Sequence, residues 1–136
     1  PGGLVLRGPP FGRLLARSAE WVRLVSEVDA EGCLVRLPSA GALFAGKVAN
    51  VALDFRTPEK RASDGEDVVR LTEAFGALAL LSDLDVATPE ERVDLHQHLV
   101  QLGAGGLAGQ ARAARLDHDP DRLRIAVSRM VDGLAP

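Results

Sequence analysis

The chain has one cysteine, Cys33, no tyrosine, and one tryptophan in 136 residues. A single cysteine cannot form a disulfide within the chain, which favours a reducing compartment. No run of about 18 apolar residues marks a membrane span, and no charged segment leads into the apolar stretch of a signal peptide. We therefore expect a cytoplasmic protein that does not contact a membrane.

Basic charge is also scarce, since 16 Lys and Arg face 19 Asp and Glu, a net charge of −3. Residues 61–100 are strongly acidic, and residues 101–136 are close to neutral. Neither segment is the basic patch with which proteins bind the phosphates of nucleic acids. Nucleic acid is therefore not the expected partner.

The composition that remains, 46% hydrophobic and 26% charged, is typical of a globular protein with its own core. A chain of this length forms one domain by default. We predict a single domain over residues 1–136. It divides into a mixed half (1–56), a polar loop (57–63) and a helical half (64–136).

The mixed half is predicted to be a strand, a helix and a β-hairpin. LVLRG (4–8) is short and apolar, and helical spacing of apolar residues follows over 11–28. Alternating residues at 33–37 and 49–55 then predict the two strands of the hairpin.

The helical half is predicted to contain four helices, at 64–82, 89–102, 106–116 and 120–133. Ser63 with Glu66, and Thr88 with Glu91, match the capping box that opens helices. Asp119 before Pro120 supplies a third cap. The predicted fold class is α+β, with the strand-helix-hairpin unit packed on the helices.

The stretch LVQLGAGGLAG matches the G-x-G-x-x-A pattern of dinucleotide-binding turns. It resembles the Gly-rich turn of the ubiquitin-activating and molybdopterin-adenylating Rossmann enzymes, which implies a nucleotide site at Gly103, Gly105 and Gly106, with Arg112 nearby. A Rossmann turn requires a buried strand before its first glycine, whereas the capping box at Thr88 predicts a helix there. We expect no cofactor and keep a small-ligand or nucleotide-binding module as an alternative.

A further alternative is a helix-turn-helix DNA-binding module, because a short Gly turn is predicted between helices 89–102 and 106–116. Only Arg112 and Arg115 would give the second helix positive charge. Few phosphate contacts would follow from so little charge.

No residues have the spacing of a catalytic or metal site. His96 and His98 would point about 200° apart on a helix and could not bind one ion together. Cys33 shares a strand face with apolar residues, so we expect it in the core. The protein is predicted to be non-enzymatic and without a metal.

Apolar residues without a polar counterpart are the candidates for an interaction surface. Helix 64–82 is apolar nearly all round, so it is either central in the domain or covered by a partner. Trp21 belongs to the residue type most enriched at binding hot spots. The predicted surface comprises Trp21, Leu43, Phe44, Leu71, Phe75, Leu80 and Leu81.

The order of strand, long helix, hairpin (GCLVRL…GALFAGKVANV) and a helix entered through GEDVV resembles the PatA-type N-terminal domains of bacterial response-regulator proteins. This resemblance implies a role in bacterial signalling. We predict a regulatory or protein-interaction domain that docks on a protein partner or associates with itself as a homodimer.

Overall fold

A computed structural model describes residues 10–53 and 56–136. Within them the α+β class is confirmed, since one antiparallel hairpin accompanies a helical C-terminal half. The strand predicted at 4–8 lies outside the described residues. The elements are, in order, α1 (Gly12–Ser18), β1 (Glu20–Ser26), β2 (Asp29–Leu37), α2 (Ala40–Ala52), α3 (Pro58–Asp83), a 3₁₀ turn (Leu84–Val86), α4 (Pro89–Ala113) and α5 (Pro120–Leu134).

The helix predicted over residues 11–28 is wrong beyond its first two turns. α1 ends at Ser18, and β1 begins at Glu20. The apolar positions fit a helical period only if the step of seven residues from Leu15 to Val22 is counted as two turns. The sequence WVRLV is rich in aromatic and β-branched residues, which favour strands. These residues form β1, which pairs with β2, and do not continue α1.

The predicted β-hairpin has one correct strand and one wrong one. Residues 33–37 do lie in β2, but their partner is β1. Residues 49–52 of the predicted second strand belong to α2, which begins at the N-cap Ser39, whose hydroxyl accepts the N–H of Ala42. A helix buried on most sides has apolar residues at every spacing, so its sequence can also match a strand pattern.

The loop predicted over residues 57–63 is helical except for its first residue. Thr57 is the N-cap of α3 and Pro58 is its first residue. Ser63, predicted to open a capping box with Glu66, therefore lies inside α3. Proline is well tolerated at the first helical position, so a polar segment that contains it is also compatible with a helix start.

The helices predicted at 89–102 and 106–116 are two helical segments that meet at a break at Gly103, where the first was predicted to end, and α4 as a whole ends at Ala113. In α4 only Gly103 leaves helical geometry, with φ 55° and ψ −177°. α3 has a similar break at Gly76, with φ 76° and ψ 161°. Glycine adopts a positive φ at little cost, so both long helices can change direction at these points.

Two predicted helix starts are confirmed. Thr88 and Glu91 form the capping box at α4, with the N–H of Thr88 donating to Glu91 Oε2 at 2.9 Å. The Asp119 carboxylate accepts the N–H groups of Asp121 and Arg122 at the start of α5. Cap residues act through neighbours two or three positions away, so the signal for these two starts lies within a short stretch of sequence.

The core is built around α2, which packs against α1, α3 and α4. Gly41 permits the closest approach, because a Cβ there would lie 2.5 Å from the carbonyl oxygen of Leu80. The N–H of Gly41 donates to Asp83 Oδ2 at 2.9 Å. The largest fully buried side chains include Leu14, Phe44, Leu80, Leu84, Leu95, Leu99, Leu107, Leu123 and Met130.

None of the described helices is both long enough and apolar enough to cross a lipid bilayer.

Candidate functional site

The β1–β2 hairpin is the most exposed element of regular structure among the described residues. Every residue of β1 is exposed, and only Gly32 and Val35 of β2 are half-buried. The cross-strand register runs from Glu20 opposite Leu37 to Leu24 opposite Cys33. Because directly paired residues lie on the same face, the hairpin has two faces of different chemistry.

One face, which we call the apolar face, is uncharged between Glu20 at its base and the pair of Leu24 with Cys33, beyond which the acidic residues Asp29 and Glu31 of β2 lie. Leu24 is 47% exposed and Leu37 is 43% exposed. An isolated two-stranded hairpin is at best marginally stable in water, and exposed apolar patches mark binding sites. The apolar face consists of Val22, Leu24, Cys33, Val35 and Leu37.

The opposite face, which we call the arginine face, is partly covered by its own side chains. The guanidinium of Arg36 lies 6.0 Å from the centre of the Trp21 ring and donates to the carbonyl oxygens of Ala16 and Ala19. Arg23 donates to the carbonyl oxygen of Glu31 at 2.7 Å. The Arg36 contacts fix the base of the hairpin to the end of α1, and both faces stay exposed, since Trp21 and Leu34 on the arginine face are more exposed than Leu24 on the apolar face.

The tip of the hairpin is acidic. The turn between the strands is formed by Glu27 and Val28, and Val28 is 97% exposed. Asp29 and Glu31 follow at the start of β2, while Arg36 lies near the base. The hairpin is therefore charged unevenly along its length.

Four residues of the predicted interaction surface lie in the core or at its edge. Phe44 and Leu80 are fully buried, whereas Leu71 and Leu81 are partly buried and pack against the core. Phe44 belongs to the first turns of α2 and not to a hairpin tip. Packing within the chain thus explains part of the apolar character of α3, whereas Phe75 and Leu78 on the same helix are exposed.

The other three residues of that surface are exposed but lie on different elements. Trp21 lies on β1, Leu43 on α2 and Phe75 on α3. The structure therefore does not bring the seven predicted residues together into one patch.

The glycines of the alternative nucleotide site all lie within α4. The residues before Gly103 are helical, so the strand that a dinucleotide-binding turn needs is not at that position. Gly105 and Gly106 continue the helix, and Arg112 is exposed near its end. The turn of the alternative helix-turn-helix is reduced to the break at Gly103, after which the helix resumes.

The expectation that Cys33 packs in the core is wrong, because its side chain is exposed on β2. Cys33 does share a strand face with apolar residues, but no described helix covers that face. His96 and His98 both lie on α4, and the described residues contain no group of three potential metal ligands.

An ion cluster between α2 and α3 was not predicted. Lys47 Nζ lies 2.9 Å from Asp64 Oδ1 and 2.6 Å from Asp67 Oδ2, and Arg56 Nη1 lies 3.6 Å from Asp64 Oδ2. The Asp64 side chain is fully buried. The cluster holds the two central helices together. Asp64 and Asp67 are three residues apart, which places them on one face of a helix. That shared face can be predicted only if a helix is predicted to start at residue 58.

The pKa of Lys47 lies above the ordinary lysine value. Burial by itself lowers the pKa of this ammonium group, but the hydrogen bonds to Asp67 and Asp64 and the charges of both carboxylates raise it by more. The lysine is therefore held in its charged form and acts as a structural cation.

No protein-family model, curated protein or solved structure matches this chain. The resemblance to PatA-type domains therefore finds no support, and the long first helix on which it depended is a short helix followed by a strand.

Proposed function

We propose that this chain is a non-enzymatic interaction domain that associates with a second copy of itself through the apolar face of the β1–β2 hairpin. The observation that carries the proposal is the exposure of that face on an element whose base is anchored. Burying a fully exposed leucine is worth about 1.5–3 kcal/mol, and Leu24 and Leu37 already have about half of their surface covered, so a cover would gain roughly half of that at each of them.

A second copy suits this face as its cover, because a two-fold interface uses the same apolar patch on both copies. We place the two-fold axis perpendicular to the strands, so that the two hairpins run in opposite directions, because an axis along the strands would bring the two acidic tips together. This arrangement keeps the two acidic tips, with Glu27, Asp29 and Glu31, apart.

The area of the face sets the expected strength of the dimer. Two strands of seven residues present about 230 Å² on one face, given about 3.3 Å per residue and 4.8 Å between strands. A stable interface buries about 800 Å² per partner. Contacts of Val28 with the partner's α1 would add to this area, but the dimer remains in the weak class and should form at micromolar concentrations or above.

The proposal is tested by sedimentation equilibrium at about 5 to 500 µM, the range of concentrations in which weak complexes form. We expect a monomer–dimer equilibrium that Leu24→Lys abolishes. Leu34→Lys is the matched control, since Leu34 is 56% exposed on the same hairpin but on the arginine face. The control should dimerise like the unmodified chain.

Cys33 provides a second readout, because it is the central residue of β2 and the one cysteine of the chain. In a two-fold face-to-face dimer the two Cys33 side chains lie near the axis, so mild oxidation should yield a disulfide-linked dimer, and Leu24→Lys should prevent it. A strict monomer at the highest concentration, or a dimer that tolerates Leu24→Lys, would overturn the proposal.

A further inference from the structure

A cleft of about 190 Å³ lies between α3 and α5, on elements that the hairpin proposal does not use. Its α5 wall is formed by Arg122, Ile125 and Arg129. Residues spaced by three and seven positions lie on one helix face, so both arginines extend along the same side of α5. The opposite wall is α3 at its break, Gly76.

The two arginines of this cleft have no carboxylate partner within the described part of the chain. Arg124, on the same helix, lies 3.6 Å from Asp121 and does not line the cleft. The guanidinium group is the side chain best suited to bind phosphate oxygens in pairs. Two of them without partners on one wall favour an oxyanion.

Thr72 supplies an independent observation. The residue lines the cleft and is only 6% exposed, and its buried hydroxyl has no hydrogen-bond partner. A buried hydroxyl without a partner costs about 1–3 kcal/mol, so its retention calls for a group that completes it.

The one acidic group of the lining is already engaged. Glu73 Oε1 accepts the backbone N–H of Asp119 at 3.3 Å, at the start of α5. This hydrogen bond offsets part of the carboxylate charge and holds Glu73 toward the end of the cleft at Asp119. The lining keeps an excess of positive charge from Arg122 and Arg129.

We infer that this cleft binds a small phosphomonoester. The phosphoryl group lies between Arg122 and Arg129, and the organic part packs on Ile125. The Thr72 hydroxyl is buried beneath the surface of the cleft and reaches the phosphoryl group by rotation about the Cα–Cβ bond. The volume of about 190 Å³ is below the roughly 300 Å³ at which drug-sized ligand pockets begin, so a whole nucleotide does not fit inside.

NMR titration of the ¹⁵N-labelled chain at constant ionic strength tests the inference. The probes are inorganic phosphate, phenyl phosphate and, as a carboxylate, benzoate. We expect saturable shifts confined to the amides of Gly76, Ala77 and Ile125. Phenyl phosphate should bind more tightly than phosphate, because only it has an apolar part, and benzoate more weakly than phenyl phosphate.

Arg122→Gln and Arg129→Gln should each weaken phenyl phosphate binding about tenfold, as expected for a lost hydrogen bond to a charged group. Arg124→Gln is the control on the same helix and should change the affinity less than about twofold, since Arg124 does not line the cleft.

Thr72→Val separates binding from stability. It should weaken binding while leaving the melting temperature unchanged or higher, because it removes a buried hydroxyl that has no partner. A lower melting temperature with unchanged affinity would show a purely structural role. Shifts that do not saturate, or equal losses in Arg124→Gln and Arg129→Gln, would overturn the site.

Discussion

The β1–β2 hairpin and α2 are both rich in apolar residues and have opposite environments. In α2, Phe44, Val48 and Val51 have no exposed surface, whereas in the hairpin Trp21 is 68% exposed and Leu34 is 56% exposed. α2 packs against three other helices, while the strands of the hairpin pack mainly against each other. Apolar content therefore does not decide burial, and the number of elements that surround a segment does.

This contrast separates two uses of apolar surface. The surface of α2 stabilises the fold of one chain, and the surface of the hairpin is available to a second chain. Substitutions in α2 should therefore change the stability of the monomer, while equivalent substitutions in the hairpin should change association.

The largest effect is expected from Phe44→Ala. Removing a fully buried aromatic ring from α2 should lower the free energy of unfolding by about 3–5 kcal/mol, because the cavity is enclosed on all sides. Urea denaturation measures this loss. A loss below about 1 kcal/mol would mean that α2 is not the centre of the core.

Lys47→Met should lower the free energy of unfolding by about 3 kcal/mol. This value is at the low end for a broken buried ion pair, because Arg56 still lies near Asp64. Lys60, the other lysine of the chain, is exposed, and Lys60→Met should change the stability by less than about 0.5 kcal/mol. Denaturation curves of the two variants that coincide would contradict a structural role for the cluster.

Gly41→Ala should cost about 1–3 kcal/mol, because the new methyl group meets the Leu80 carbonyl and pushes α2 from α3. Gly105→Ala is the opposite case, since it is helical and nothing lies within 4 Å of its Cβ position. It should stabilise the chain by about 0.5–1 kcal/mol. Thermal denaturation of both variants should therefore show shifts of opposite sign.

Alkaline pH should weaken the α2–α3 junction. The pKa of Lys47 is raised in the folded chain, so its contribution is complete below the ordinary lysine pKa and is lost as the pH rises through the folded value. Unfolding free energy measured from pH 8 to 12, about the range in which lysine titrates, should fall more steeply for the unmodified chain than for Lys47→Met. Equal slopes would assign the loss to other groups.

The smallest effect is expected from Trp21→Ala. Although tryptophan is the largest side chain, this one is mostly exposed, and its contact with Arg36 is worth about 0.5–1 kcal/mol. A loss above about 2 kcal/mol in urea denaturation would mean that the hairpin packs on the helical body and that the comparison fails.

Local signals predicted two helix starts correctly, although the same capping-box pattern at Ser63 lies inside α3. The capping box of Thr88 and Glu91 and the Asp119 cap depend on neighbours within three residues, so the starts of α4 and α5 were correct. Predictions failed at residues 19–28 and 40–52, where apolar spacing fits both a helix and a strand. There the choice depends on pairing with a distant segment, which no window of sequence contains.

For the candidate sites, too, residue types can be read from the sequence, whereas contacts between elements cannot. The assignment of Trp21 to an interaction surface stays a prediction from residue type, and Trp21 lies on the arginine face. The apolar face cannot be found from the sequence when β1 is predicted as a helix. Thr72, Arg122 and Arg129 meet only because α3 breaks at Gly76 and α5 packs beside it.

The sequence by itself determined the α+β class, the starts of the last two helices and the absence of an intrachain disulfide. Composition and caps act over short distances along the chain, so they need no partner. The tertiary structure alone decided that the apolar residues of α2 are buried and those of the hairpin exposed, since burial depends on which elements pack against a segment. It also decided which charges meet, because Lys47 and Asp64 interact only across the α2–α3 contact.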